Sequence, residues 1–99
     1  MDLVEKTLVT IVAEAALESR LLDDLQRSGV RGYTVTSAHG AGVRGGREGD
    51  LEGGNVRIEC VAHDAAAQAI MALLKERYFA HYACVAWLQS VRVVRGENY

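Results

Sequence analysis

The segment HGAGVRGGREGDLEGG, residues 39–54, holds seven of the chain's ten glycines. Glycine inside a helix costs about 1 kcal/mol relative to alanine. A helix therefore cannot nucleate here, and the segment must join its neighbours as loop or extended chain. Within it, residues 40–45 spell GxGxxG. A dinucleotide-binding turn needs that motif between a strand and a helix whose N-terminus holds the pyrophosphate. Gly45, Gly46, Gly49, Gly53 and Gly54 follow instead, so the dinucleotide reading fails. A P-loop fails too, because no Gly-Lys-Ser/Thr ending is present.

The flanking chain carries clear periodicities. Leu3 to Ala13, rich in Val, Ile, Thr and Leu, is expected to form a strand. From Glu14 to Ser28 the period lengthens: Leu17, Leu21 and Leu25 recur with Leu22 beside them, an amphipathic helix that Gly29 can end in a left-handed turn. The charged group Arg20, Asp23, Asp24 and Arg27 reads as the solvated face of that helix. Tyr33–Ala38 is aromatic and β-branched, a second strand. In Asn55–Ala62, Val56, Ile58 and Cys60 alternate with Arg57 and Glu59, the pattern of a strand with one buried face. Asp64 is expected to cap a second helix reaching Tyr78 or Tyr82, with Ile70, Leu73, Leu74 and Phe79 buried. Cys84–Val94 reads as the last strand, and Arg95–Tyr99 as a polar tail.

The order β-α-β-β-α-β, joined by right-handed crossovers, predicts an α+β, ferredoxin-like domain spanning residues 1–99. It has a four-stranded antiparallel sheet with two helices on one face. Two helices cannot cover both faces. The second face would mix Thr34, Thr36, Arg57 and Glu59 with apolar neighbours, which predicts closed self-association.

Composition narrows the partners. The chain is 49% hydrophobic and 24% charged with a net charge of −2, so no global field draws it to nucleic acid or acidic membranes. No apolar run reaches 18 residues, and Glu5 and Lys6 interrupt the N-terminal one before it could serve as a signal peptide. A cytoplasmic protein without membrane insertion is expected. Cys60 and Cys84 match no zinc spacing and read as buried free thiols of a reducing compartment. His63 and His81 read as surface histidines without ligand partners.

An anion would need a local cluster, and the glycine segment offers one. Gly40 and Gly42 can expose backbone N–H groups in a concave turn. Arg44 and Arg47 supply guanidinium groups suited to phosphate or carboxylate, and His39 can add a donor. The alternative is a solvated connection kept soluble by Glu48, Asp50 and Glu52.

These residues carry a resemblance. GVRGYTVTSAHGAG, residues 29–42, resembles the GxxGxTVTxxxGxG pattern of PII-type signalling proteins. VRIECVA at 56–62 and SVRVVRGE at 90–97 resemble their next and closing strands. The resemblance implies a homotrimer of ferredoxin-like subunits with adenine nucleotides in the intersubunit clefts. The long loop, here residues 41–54, would be the T-loop that signals to a partner. By matching position, Thr34 would lie against the base and the turn Gly40, Ala41, Gly42, Val43 and Arg44 would wrap the phosphates. Glu59 and Val61 would line the ribose and base side, and Arg92 or Arg95 would reach in from the neighbouring subunit.

The departures are specific. No Tyr lies between Tyr33 and Tyr78, which argues against uridylylation. Arg44 stands where the usual glutamine helps hold 2-oxoglutarate with magnesium, and it cannot accept a metal. The usual glycine- and lysine-containing loop before the last strand is replaced by RYFAHYACVAW, residues 77–87. That segment is similar to divergent PII-like proteins associated with bicarbonate transporters and carboxysomes. The group binds AMP, ADP, ATP or cyclic AMP, and some members bind bicarbonate, here assigned to Arg44, Arg47 and His39. Its partner would be a transporter or carboxysome-related protein in inorganic carbon uptake or fixation.

Three other readings compete. Tyr78, Phe79, Tyr82 and Trp87 either form an adenine platform or pack the helix end and last strand, and packing is the expectation. A ferredoxin-fold enzyme would need His39, Glu59 or His81 as acid or base, but they show no convergent spacing. A trimeric metal-tolerance protein has only Cys60 beside His63 to suggest it. The expectation is a non-enzymatic sensor without catalytic cofactor or metal.

Overall fold

The computed structural model describes residues 2–40, 43–44, 47–48 and 54–95, the two dipeptides by their backbone. Its elements are β1 (Leu3–Glu14), α1 (Glu18–Arg27), β2 (Thr34–Ala38), β3 (Val43–Arg44), β4 (Arg47–Glu48), β5 (Asn55–Ala62), α2 (Asp64–Arg77) and β6 (Cys84–Val94). The main sheet is antiparallel with strand order β2-β5-β1-β6. This is the ferredoxin-like arrangement expected from the element order. Inside the glycine segment β3 and β4 form a separate two-stranded hairpin, pairing Val43 with Glu48 and Arg44 with Arg47. Sequence periodicity cannot reveal strands of two residues.

Register assigns the faces. Val9, Ile11 and Ala13 of β1 lie opposite Cys60, Ile58 and Val56 of β5, and all six are buried. With Leu17, Leu21 and Leu25 from the first helical segment and Ala67, Ile70 and Leu74 from α2, they form the core. Cross-strand partners share a face, so the opposite face carries Thr34 and Thr36 of β2, Arg57, Glu59 and Val61 of β5, Leu8, Thr10 and Val12 of β1, and Val85 and Trp87 of β6. That outer face is mixed. Thr10 is fully buried, while Val85 and Trp87 are exposed.

Several boundaries differ from the sequence reading. The first helix does not begin at Glu14. β1 continues through Glu14, which pairs with Asn55, and a 3-10 turn at Ala15–Leu17 precedes α1. Hydrogen bonds from Glu14 N–H to Ala83 O (3.3 Å) and from Ala15 N–H to Gly54 O (3.0 Å) hold this end extended. Tyr33 lies just outside β2. His63, not Asp64, occupies the N-cap position of α2. The Asp64 carboxylate instead accepts a hydrogen bond from the Thr7 hydroxyl at 3.2 Å.

The end of α2 holds the larger correction. Helix geometry stops at Arg77, and a turned segment continues to Ala83. Phe79, expected in the core, is 39% exposed, whereas Tyr78 is 0% exposed. The Tyr78 hydroxyl donates to Asp24 Oδ2 at 2.5 Å. Asp24 is therefore not on a solvated face: it is buried, and Arg77 Nη1 lies 3.6 Å from Oδ1. Arg20 stays exposed, donates to the Tyr82 hydroxyl at 2.8 Å, and sits over the Tyr78 and Tyr82 rings at 5.1 and 5.3 Å. Its proton is held more firmly than usual, chiefly by the Tyr82 hydrogen bond.

Gly29 ends α1 as expected, with φ +91°. A Cβ there would meet nothing within 4 Å, so the cost of a side chain lies in the backbone alone. Gly29→Ala is expected to lower stability by about 1 kcal/mol, read as a shifted midpoint with an unchanged slope in urea.

Candidate ligand-binding site

The outer face of the sheet bears an open groove of about 410 Å³, lined by Leu8, Gly32, Tyr33, Thr34, Glu59, Cys60 and Val61. Its position follows from register. Thr34 pairs with Glu59, and Val61 pairs with Leu8, so a short edge strand and two central strands contribute neighbouring side chains. Three of the positions singled out in the sequence, Thr34, Glu59 and Val61, are thus brought together.

The groove has an apolar wall and a polar one. Leu8, Val61 and the ring of Tyr33 suit a flat, weakly polar group, while Thr34 and Glu59 supply hydrogen-bonding atoms. Glu59 is held from behind. Thr10 Oγ1 donates to its Oε2 at 3.4 Å, and Arg57 Nη2 approaches the same oxygen at 3.4 Å. Arg57 in turn lies over the Trp87 ring, 5.6 Å from its centroid. The carboxylate is positioned by one oxygen, with its second oxygen free of these two contacts.

The other sequence-selected positions are distributed differently. His39 and Gly40 follow β2, both exposed, at the far end of the strand from Thr34. Val43, Arg44 and Arg47 belong to the β3–β4 hairpin, described by backbone pairing only. Ala41 and Gly42 lie outside the described residues, as does most of the proposed loop 41–54. Arg92 is exposed in β6 opposite Glu5, on the two-stranded ribbon that extends past the last β1–β5 pair, Thr7 with Ala62. Arg95 follows β6 with φ +67°. Neither arginine lines the groove of its own chain.

None of Tyr78, Phe79, Tyr82 or Trp87 lines the groove. Tyr78 packs in the core, and Tyr82 is engaged with Arg20. Sequence reasoning missed Leu8, Gly32 and Tyr33, the last treated only as the first residue of a strand. The one signal for Tyr33 was placement directly before Thr34 on an edge strand, where an aromatic ring has no core to enter.

Cys60 touches the groove but is 4% exposed and its thiol is pushed up to about 11 by burial, so it is a poor nucleophile. Among the described residues, no group of three or more His, Cys, Asp or Glu side chains is placed to hold a metal ion. His63 Nδ1 accepts from Lys6 Nζ at 3.2 Å. No helix among the described residues is long and apolar enough to cross a membrane.

Comparison with known proteins agrees with this architecture. The profile of the family described as nitrogen regulatory protein P-II matches residues 6–98. The crystal structure of a PII-like signaling protein from Thermus thermophilus is 46% identical, covers 100% of this chain and 99% of that chain, and has a TM-score of 0.88. CPII from Thiomonas intermedia, bound to ADP, AMP and acetate, is 19% identical over 100% of this chain and 98% of that chain, with a TM-score of 0.87. The same protein bound to ADP, AMP and bicarbonate is 20% identical over 95% and 98%, with a TM-score of 0.82. At these identities the likeness to CPII concerns the fold. No curated protein matches the chain significantly.

Proposed function

Because the chain belongs to the nitrogen regulatory protein P-II family, we propose that it is a homotrimeric sensor of adenine nucleotides and bicarbonate. It acts in the cytoplasm and catalyses no reaction. The observation that carries this reading is the convergence of Thr34, Glu59 and Val61 around one groove on the sheet face left uncovered by helices. A ligand there would sit where a neighbouring subunit closes over it, and Arg92 or Arg95 of that neighbour would complete the phosphate side.

The base and ribose occupy the groove, with Tyr33 beside the base. The phosphates run along the edge of β2 toward Gly40, Ala41, Gly42, Val43 and Arg44. A carboxylate at Glu59 repels phosphate and accepts from hydroxyl or amino groups, which gives the nucleotide this direction. Arg44, Arg47 and His39 hold bicarbonate. The T-loop reports the bound state to a transporter or carboxysome-related protein in inorganic carbon uptake or fixation. Such a signal requires ligand affinity to differ between loop states.

Isothermal titration with AMP, ADP, ATP and cyclic AMP, each with and without bicarbonate, tests the reading, and absence of binding at millimolar nucleotide refutes it. Arg44→Ala is expected to weaken nucleotide binding by about tenfold, the scale of one charge-assisted contact, without shifting the unfolding midpoint. Unchanged affinity would remove Arg44 from the site. Sedimentation of the same samples checks the trimer.

A further inference from the structure

We propose that Glu14 is a positioning residue that couples the turn between α2 and β6 to the point where the glycine segment rejoins the sheet. The segment it serves is the output loop of the sensor described above, but the contacts themselves involve no ligand. Glu14, the last residue of β1, grips Ala83 twice. Its carboxylate Oε2 accepts the Ala83 N–H at 2.8 Å, and its own N–H donates to Ala83 O at 3.3 Å. The next residue holds the glycine segment: Ala15 N–H donates to Gly54 O at 3.0 Å, while Glu14 lies opposite Asn55 in the β1–β5 register. Two consecutive residues thus clamp two segments far apart in sequence.

Each clamped segment has a reason to depend on that clamp. Gly54 has φ +71°, so the chain enters β5 through a left-handed residue whose carbonyl is fixed by Ala15. Ala83 lies in a turn whose preceding residue, Tyr82, is tied to α1 through its hydroxyl and Arg20, and whose first residue, Tyr78, is tied to Asp24. The exposed Arg20–Tyr82 contact is therefore linked through Ala83, Glu14 and Ala15 to Gly54. A carboxylate accepting a backbone N–H makes a stronger bond than a neutral acceptor, so Glu14 holds Ala83 through a charge-assisted contact that alanine cannot replace.

Amide hydrogen exchange on the ligand-free protein tests the coupling at single residues. Tyr82→Phe removes the Arg20 contact and is expected to speed exchange of the Ala15 amide about fivefold, the scale of one hydrogen bond, with Val9 and Ile58 amides unchanged. Glu14→Gln keeps an acceptor oxygen and retains most of the Ala15 protection, whereas Glu14→Ala loses it. In the Glu14→Ala background, Tyr82→Phe has no further effect on Ala15. Unchanged Ala15 exchange in Tyr82→Phe overturns the proposal, as does an equal Tyr82→Phe effect with and without Glu14. Uniform acceleration that includes Val9 and Ile58 overturns it too, because that is general loosening of the fold. The nucleotide titrations are independent of all these outcomes.

Discussion

Tyr78→Ala is expected to destabilise the protein by about 3–5 kcal/mol, the range for removing a fully buried aromatic side chain. The ring is 0% exposed and its removal empties space between α1 and the end of α2. It also strips Asp24 of its hydroxyl donor, leaving the 3.6 Å approach of Arg77 as its ion-pair contact among the described residues. Tyr78→Phe separates these contributions. It keeps the packing and is expected to cost about 1–2 kcal/mol, for a buried carboxylate short of one hydrogen bond. Urea unfolding at one fixed protein concentration measures both, since self-association makes apparent stability concentration-dependent. A Tyr78→Ala cost below that of Tyr78→Phe would contradict the placement of the ring in the core.

The second large effect is alkaline destabilisation. Burial pushes the Cys60 thiol up to about 11, and burial with a smaller contribution from the Glu14 carboxylate does the same to Cys84. Tyr78 is raised as well, first by burial and then by its hydrogen bond to Asp24. In each case the folded protein holds its proton more tightly than the unfolded chain. For the two thiols the resulting stability is fully present below the unfolded value of about 9 and is lost as pH rises from there to about 11, whereas the Tyr78 contribution begins to fall only above about 10. For Cys60, a difference of two units corresponds to roughly 3 kcal/mol at most. Unfolding measured from pH 8 to 11 is expected to show this decline, and Cys60→Ala should reduce its slope. An identical slope in that variant would place the loss elsewhere. The same burial predicts slow reaction of Cys60 with thiol reagents in the folded state.

The parts of the fold that sequence revealed are those governed by local periodicity. Val56, Ile58 and Cys60 alternate with Arg57 and Glu59, and the structure buries the first set while leaving the second half-buried. Leu17, Leu21 and Leu25 repeat at helical spacing and reach the core, although Leu17 does so from a 3-10 turn. Gly29 ends α1 because only glycine takes its backbone conformation without strain. Glu14 broke the pattern. Its local sequence suits a helix start, but bonds to Ala83, far along the chain, keep it in the strand.

The candidate site divides in the same way. Thr34 was legible because it lies in the contiguous GYTVTSA motif, and Glu59 and Val61 because they follow a strand pattern that resembles a known family. Tyr33 and Leu8 were not: Leu8 carries no local signal, and adjacency to Thr34 does not by itself reveal the groove that brings Tyr33 beside Val61. Asp24 was misread for a related reason. A carboxylate among charged neighbours on a helix looks solvated until the partner that covers it, Tyr78, is known.

From sequence alone came the element order, the buried face of Asn55–Ala62, the exclusion of a helix from residues 39–54, and the membership these patterns suggested. Tertiary structure decided where β1 ends, which aromatic ring enters the core, and which side chains share the groove. The division has one physical cause. Periodicity and glycine content act within a few residues of the backbone, whereas desolvation, a buried hydrogen bond and a shared cavity depend on atoms that only folding brings into contact.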